Sequence, residues 1–192
     1  MYSPGFLYVY KNKIMTIPNL IQTSTLHHQE FTDYLAGLSE AAFTFSTDDK
    51  WTAGQQLVHI LLSVKAASKG FGMPNLVLQT TFGKAKTPSR SYEELVVTYQ
   101  QALQAGGKAP QTYIPDPVAF EAREKLIGKV DEALDTLHAQ VEKRKESSLD
   151  QLRLPHPLIG KLSLREMLYF TIYHVQHHHK TVQALVAQMP AA

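Results

Sequence analysis

Four of the nine histidines lie within six residues near the C-terminus, in the segment His174-Val-Gln-His177-His178-His179. The surrounding residues repeat with a helical period, and residues four apart in a helix share one face. His174 and His178 have this spacing, so their imidazoles are expected one turn apart. Two imidazoles placed in this way can bind a single divalent metal ion. This pair is the strongest indication of chemistry in the sequence.

Helical periodicity predicts which of these rings face the core. With about 100° between successive residues, one apolar stripe runs along the helix, and His178 falls within it. His174 lies on one margin of the stripe and His179 on the other, whereas His177 lies roughly opposite. The stripe consists of Leu164, Met167, Leu168, Thr171, Val175, Val182, Leu185 and Val186. A polar ring buried without a partner costs about 1–3 kcal/mol, and either a metal ion or an ordinary hydrogen bond supplies that partner.

The composition indicates one soluble, cytoplasmic domain. A chain of 192 residues, 44% hydrophobic and 19% charged, can bury a sizeable core. Its net charge of +2 is too small to favour nucleic acid or an anionic membrane as a partner. The absence of cysteine excludes disulfides, thiolate ligands and a cysteine nucleophile. Together with the lack of a signal peptide and of any apolar run of about 18 residues, it favours the cytoplasm.

The start of the chain differs from the rest. Residues 1–14 carry three tyrosines and show no helical period. We therefore expect an N-terminal tail without a chemical role, with Met15 as a plausible native start. Residues 15–192 are then expected to form a single domain.

Apolar periodicity and capping residues predict a helical bundle. Helix-start signals of the form Ser/Thr-x-x-Glu/Gln occur at Thr52, Ser91 and Ser163. Long helices are expected at about residues 18–43, 52–69, 116–146 and 163–188. Residues 70–116 hold five of the ten glycines and predict a long crossover with one short helix. No strand pair is evident, so the sequence predicts an all-α fold, a four-helix bundle with a long crossover that carries one extra short helix.

Two segments carry a resemblance to a known family. Trp51-Thr-Ala-Gly-Gln-Gln-Leu-Val-His59-Ile resembles the second-helix signature of the DinB-like superfamily, in which a tryptophan and a capping residue precede a histidine. The loop His156-Pro-Leu-Ile-Gly-Lys-Leu, followed by the paired histidines, is similar to its C-terminal signature. It is especially similar to an uncharacterised branch with this histidine-proline loop. The resemblance covers roughly residues 18–188 and implies a four-helix bundle.

The resemblance also implies a metal site. Members of the family bind a divalent metal ion with three histidines, which correspond here to His59, His174 and His178. The apolar stripe of the second helix does not select His59, so this ligand is implied by the resemblance alone. The metal is left open between zinc, nickel and iron. Three protein ligands leave one coordination position for water or substrate, which is typical of catalytic sites.

Two classes of function follow from this resemblance. Some relatives are thiol-dependent transferases or isomerases that use low-molecular-weight thiols such as bacillithiol or mycothiol, and an open metal site also activates water. We therefore expect a metal-dependent thiol transferase or a hydrolase acting on a small molecule. The alternative is a non-catalytic metal- or ligand-binding bundle, as a homodimer. A pocket beside the metal and walled by residues 70–116 would favour the enzyme, and histidines lying far apart would indicate an interaction protein without metal.

No second catalytic group is evident beside the histidines. Neither histidine-bearing helix carries a carboxylate near them, since Glu166 caps its helix two turns upstream. Tyr34 is the candidate, because counting back across the turn between the first two helices puts it near the level of His59. His177 either closes the surface end of the site or is solvated.

Overall fold

The computed structural model describes residues 14–47 and 50–190. The tail expected at residues 1–14 lies outside the described residues except for its last position. The helices are α1 (Ile17–Ala36), α2 (Glu40–Thr44), α3 (Ala53–Phe71), α4 (Asn75–Phe82), α5 (Tyr92–Gln104), α6 (Arg123–Glu142), α7 (Glu146–Gln151) and α8 (Leu164–Val186). The antiparallel strands are β1 (Arg153–His156) and β2 (Gly160–Ser163), and 3₁₀ turns occur at Gln111–Tyr113 and Phe120–Ala122.

The four long helices form a closed bundle, as the sequence predicts. Helix α1 packs against α6 and α8, and α3 packs against the same two helices. Phe31 of α1, Leu57 of α3, Leu137 of α6 and Val175 of α8 are completely buried on the interior faces. Full burial of such a side chain stabilises the fold by about 1.5–3 kcal/mol. The helices are therefore held together by one shared apolar core.

Local capping fixes where three of the helices begin. In α3, Thr52 accepts a hydrogen bond from the main-chain N–H of Gln55, whose side chain accepts one from Thr52 N–H. The same reciprocal pair starts α5 at Ser91 and α8 at Ser163. Each pair satisfies two N–H groups that the helix leaves free. All three helix starts that the sequence predicts from a capping signal are confirmed.

The first helix and the last connection differ from the prediction. The expected helix at 18–43 ends at Ala36, because the chain turns at Gly37 and a separate short helix, capped by Ser39, follows. The loop before α8 is a β-hairpin, although no strand pair was expected. Each strand has only four residues and β1 contains Pro155, so alternation is too short to be recognised.

The crossover also differs from the prediction. It contains two helices, α4 and α5, where one was expected. The fourth long helix begins at Arg123 and not near residue 116, since Asp116-Pro117 lies outside regular secondary structure and a 3₁₀ turn precedes the helix. Helix α5 and the hairpin pack against α8, and the turn at Gln111–Tyr113 packs against α3. The crossover therefore covers the side of the bundle that α3 and α8 share. Nowhere in the described ranges is a helix both long enough and apolar enough to cross a bilayer.

Candidate metal centre

Helices α3 and α8 bring three imidazoles together. His59 projects from α3, while His174 and His178 project from consecutive turns of α8, and all three are buried. Nε2 of His174 lies 3.2 Å from Nε2 of His59 and 3.0 Å from Nε2 of His178. One potential ligand atom from each residue lies within 4.8 Å of the other two. The three residues that the family resemblance implies therefore form one cluster.

Oxygen acceptors hold the opposite nitrogen of two of these rings. Nδ1 of His59 lies 2.7 Å from the main-chain oxygen of Tyr113, and Nδ1 of His178 contacts Oε1 of Gln56. Because a carbonyl oxygen can only accept, each Nδ1 carries the ring proton and donates it. The Nε2 atoms of His59 and His178 are therefore unprotonated, with their lone pairs directed at His174.

Burial keeps the cluster neutral. Desolvation lowers the pKa of His174 and His178 well below the usual value, and neighbouring imidazoles lower it further. Desolvation also lowers the pKa of His59, although its hydrogen bond to Tyr113 opposes this effect. Neutral imidazole is the form that binds a metal ion. These rings are thus ready to bind at neutral pH without first losing a proton.

The donor set fits a divalent cation. Among the three Nε2 atoms only that of His174 can carry a proton, and one proton can satisfy only one neighbour. At least one close Nε2–Nε2 contact therefore has no proton between its two nitrogens, and such a contact is unfavourable unless a cation lies between them. Imidazole ligands at about 2.0–2.1 Å in a tetrahedral site lie about 3.3 Å apart. The separations of 3.2 and 3.0 Å are close to that spacing.

A cavity of about 370 Å³ opens beside the three imidazoles. The indole of Trp51 lies 4.9 Å from the His59 ring and stacks at 6.5 Å on that of His178, measured between centroids. The crossover wall is formed by Phe82, Tyr99, Leu103, Ala109, Pro110 and Tyr113. Among the described residues that line the cavity there is no carboxylate, and Lys69 is the only lysine or arginine. The cluster is thus the polar end of a mainly apolar space.

The comparison with protein families agrees with this geometry. A sequence model of the DinB superfamily matches residues 25–182 of the chain. The chain belongs to the DinB superfamily. The matched segment includes α3, the crossover and most of α8, and therefore every histidine of the cluster. Comparison with curated proteins finds no significant match, and the similarity to one branch of the DinB superfamily stays a prediction.

The packing of α3 explains why helical periodicity alone missed His59. Helix α3 contacts both α6 and α8, so its buried surface is wider than a single apolar stripe. His59 lies on the part of that surface that faces α8, where it meets His174. A helical wheel treats one helix in isolation and cannot show where a second neighbour lies. The match to the DinB superfamily signature supplied this residue.

The structure places His177 and Tyr34 on different sides of α8. His177 is half-buried and lines the cavity, with its ring centroid 5.2 Å from that of His178. Tyr99 of the crossover covers this side of the helix, which lies roughly opposite the apolar stripe. Tyr34 packs against His179, with 5.1 Å between their centroids, and neither lines the cavity. Tyr34 is therefore not brought to the three imidazoles.

His156 lines the cavity, although no pattern in the sequence predicts a role for it. Its side chain is only 7% exposed, and it lies on the cavity wall at the end of β1. The one signal in the sequence was its place in the second DinB-like segment. Its position became apparent only with the hairpin, which periodicity did not predict.

Proposed function

We propose that this protein binds one divalent metal ion through His59, His174 and His178 and transfers a group to or from a thiol cosubstrate. The observation that carries the proposal is the convergence of the three Nε2 atoms at the edge of an accessible cavity. When bound, the metal supplies Lewis-acid chemistry, because it lowers the pKa of a coordinated thiol or water. Zinc, nickel and iron all suit imidazole ligands.

The position of the cavity supports catalysis over a purely structural metal. A closed structural site uses four protein ligands, whereas the cluster has three. The cavity lies beside the cluster and is walled by the crossover, which is the arrangement expected of an enzyme. Tyr113 and Gln56 orient two of the ligands from outside the cluster, and such support is typical of tuned metal sites.

The lining residues favour a thiol over water as the activated group. Hydrolysis benefits from a carboxylate base that takes a proton from water, and the described lining contains none. A thiol loses its proton far more readily than water does, so a metal-bound thiol needs no such base. Because the chain has no cysteine, the thiol must come from a cosubstrate.

The apolar walls suit an organic second substrate. Phe170, Leu103 and Met167 contribute apolar side chains to the cavity lining. A volume of about 370 Å³ lies in the range of small-molecule sites. The walls exclude water, bind apolar parts of the substrate and orient its electrophilic atom towards the sulfur. The thiol proton passes to solvent, the sulfur forms a bond to the electrophilic atom, and the leaving group departs with the electron pair of the bond that breaks.

Protein purified without a histidine tag tests the proposal. Elemental analysis is expected to find one zinc, nickel or iron ion per chain. Metal-loaded protein mixed with bacillithiol, mycothiol or cysteine and a generic electrophile such as chlorodinitrobenzene is expected to form the thioether faster than chelator-treated protein. Stoichiometric metal without thiol-dependent turnover would favour the non-catalytic bundle, and protein that binds none of these metals would contradict the proposal as a whole.

A further inference from the structure

His156 lies on the cavity wall, outside the group of three histidines. Its ring centroid is 4.2 Å from that of Phe170, and the rings meet edge to face. Phe170 also stacks on His174, with 4.6 Å between centroids. One phenyl ring thus contacts both His156 and a proposed metal ligand, and all three residues line the same cavity.

The main chain fixes which nitrogen of His156 carries the proton. Nδ1 accepts hydrogen bonds from the N–H groups of Leu158 and Ile159, both at 3.2 Å. A nitrogen that accepts hydrogen bonds has no proton, so the neutral ring carries its proton on Nε2. Desolvation lowers the pKa of His156 to about 4. The ring is therefore neutral at physiological pH, with Nε2–H as its only donor.

The Nε2–H group of His156 is free to bind a ligand. Among the residues that the structure describes, it has no hydrogen-bond partner. The Nε2 atom is nevertheless not fully enclosed by protein. His156 lines the cavity, where a bound molecule can accept a hydrogen bond from this donor. A buried donor left without an acceptor costs about 1–3 kcal/mol. A few fixed donors of this kind orient ligands in otherwise apolar pockets.

We propose that His156 is a specificity-determining residue whose Nε2–H donates a hydrogen bond to an uncharged oxygen acceptor on the thiol cosubstrate. This inference rests on the proposed function, because it places the sulfur of the same molecule at the three-histidine site. The ligand class is a thiol with an amide, ester or hydroxyl oxygen separated from the sulfur by a short apolar chain. The scarcity of cations in the lining, with Lys69 alone among the described residues, favours an uncharged acceptor over a carboxylate.

Two substitutions separate the donor role of His156 from its structural role. In His156→Asn the side-chain oxygen can take the place of Nδ1 and accept from the turn, but the Nε2–H donor is lost. In His156→Gln the side-chain amide reaches the place of Nε2 and keeps a donor, while the turn loses its acceptor. The first variant is expected to keep its melting temperature and the second to keep ligand affinity.

Cobalt-loaded protein and simple thiols provide the test. The probes are 3-mercaptopropanamide and 4-mercaptobutanamide, compared with alkanethiols of the same chain length, and binding is followed by the sulfur-to-cobalt charge-transfer band. In His156→Asn, the best mercaptoamide is expected to bind about three- to tenfold more weakly than in the wild type, the effect of one lost hydrogen bond. The matched alkanethiol is expected to bind equally to both proteins. His156→Gln is expected to retain most of the mercaptoamide affinity.

The outcomes separate this inference from the proposed function. If His156→Asn loses equal affinity for the mercaptoamide and the alkanethiol, or loses affinity for neither, the role of His156 is overturned. The proposed thiol-binding metal site is unaffected by either result. The absence of a charge-transfer band with any thiol in the wild type contradicts both. If His156→Asn unfolds, long-range proton–nitrogen NMR of the wild-type zinc protein decides. A shift of the His156 Nε2 resonance with mercaptoamide but not alkanethiol supports the role, and an unchanged resonance overturns it.

Discussion

Two groups of buried histidines in this bundle have different surroundings. Between α3 and α8, Nδ1 of His59 and of His178 donates to an oxygen, and Nε2 of each faces His174. Between α1 and α6, His28 and His138 are also buried, yet Nε2 of each lacks a partner among the described residues. Desolvation lowers the pKa in both groups. Burial and a lowered pKa therefore do not by themselves identify a metal site.

The first group differs from the second in three ways. Its ring nitrogens converge, neighbouring residues orient its rings, and the cavity reaches it. Its three Nε2 atoms approach one point, and neighbouring acceptors fix the ring protons on the far side. The cavity reaches these rings, whereas neither His28 nor His138 lines it. The second group is better explained as a polar part of the core, whose neutral rings contribute to packing. The following predictions test this distinction.

Removal of one proposed ligand should have the largest effect. We expect His178→Ala to lose most of its metal, with an affinity decrease beyond the roughly 10–100-fold that lost support of a ligand costs. His177→Ala is the matched control, since its ring lines the cavity but is not part of the three-histidine cluster. It is expected to keep near-normal occupancy. Equal occupancy in the two purified variants, measured by elemental analysis, would show that the ligand assignment on α8 is wrong.

Acid should destabilise the metal-free bundle in part through His28 of the second group. The pKa of His28 is lowered to about 4, chiefly by desolvation, whereas it is 6.5 when unfolded. Its contribution to stability is therefore complete above pH 6.5 and is lost as the pH falls through 4. This amounts to about 3 kcal/mol in the free energy of unfolding. The measurement is urea unfolding of metal-free protein at pH 7 and at pH 4. Between these two pH values, the free energy of unfolding should fall by about 3 kcal/mol less in His28→Leu than in the wild type. Parallel losses in both proteins would contradict the assignment.

Removal of a residue that orients a proposed ligand should have a smaller effect on metal binding than removal of the ligand itself. Gln56→Ala leaves Nδ1–H of His178 without its acceptor. We expect the zinc affinity to fall about 10–100-fold, as for other residues that orient metal ligands. Ser63→Ala is the control, because Ser63 also lines the cavity but donates to a main-chain oxygen of its own helix. Competition with a chromophoric chelator measures both variants, and equal affinities would remove Gln56 from the site.

Removal of the metal should have the smallest effect on structure. The core of Phe31, Leu57, Leu137 and Val175 is independent of the cluster, so the bundle should fold without metal. A chelator is expected to lower the melting temperature, as loss of any native-state ligand does, while the far-ultraviolet circular dichroism at room temperature stays nearly unchanged. A collapse of the helical signal would mean that the metal is structural.

The sequence predicted what local signals determine. The capping pairs at Thr52, Ser91 and Ser163 each lie within four residues, and the structure has all three. The closed bundle followed from apolar stripes. The start of α6 did not, because a proline at residue 117 suits extended chain as well as the first turn of a helix.

The site itself depends on packing that no single segment encodes. His59 and His177 both face inward because another element lies beside them, α8 in the first case and α5 in the second. Counting back along one turn predicts that Tyr34 lies near the level of His59. The observed turn contains the extra helix α2, which the count does not include. His156 reaches the cavity through a hairpin of two four-residue strands. These features require the relative placement of helices, which periodicity does not contain.

The contact between His59 and Tyr113 has a consequence for the evolution of selectivity. The oxygen that supports His59 belongs to the main chain, and the phenol ring of the same residue lines the cavity. Any amino acid at position 113 that keeps the backbone in place would preserve the support of the ligand. The residue can therefore vary its side chain and reshape the cavity while the proposed metal ligand His59 stays oriented. Position 113 is accordingly a natural starting point for directed changes of substrate preference.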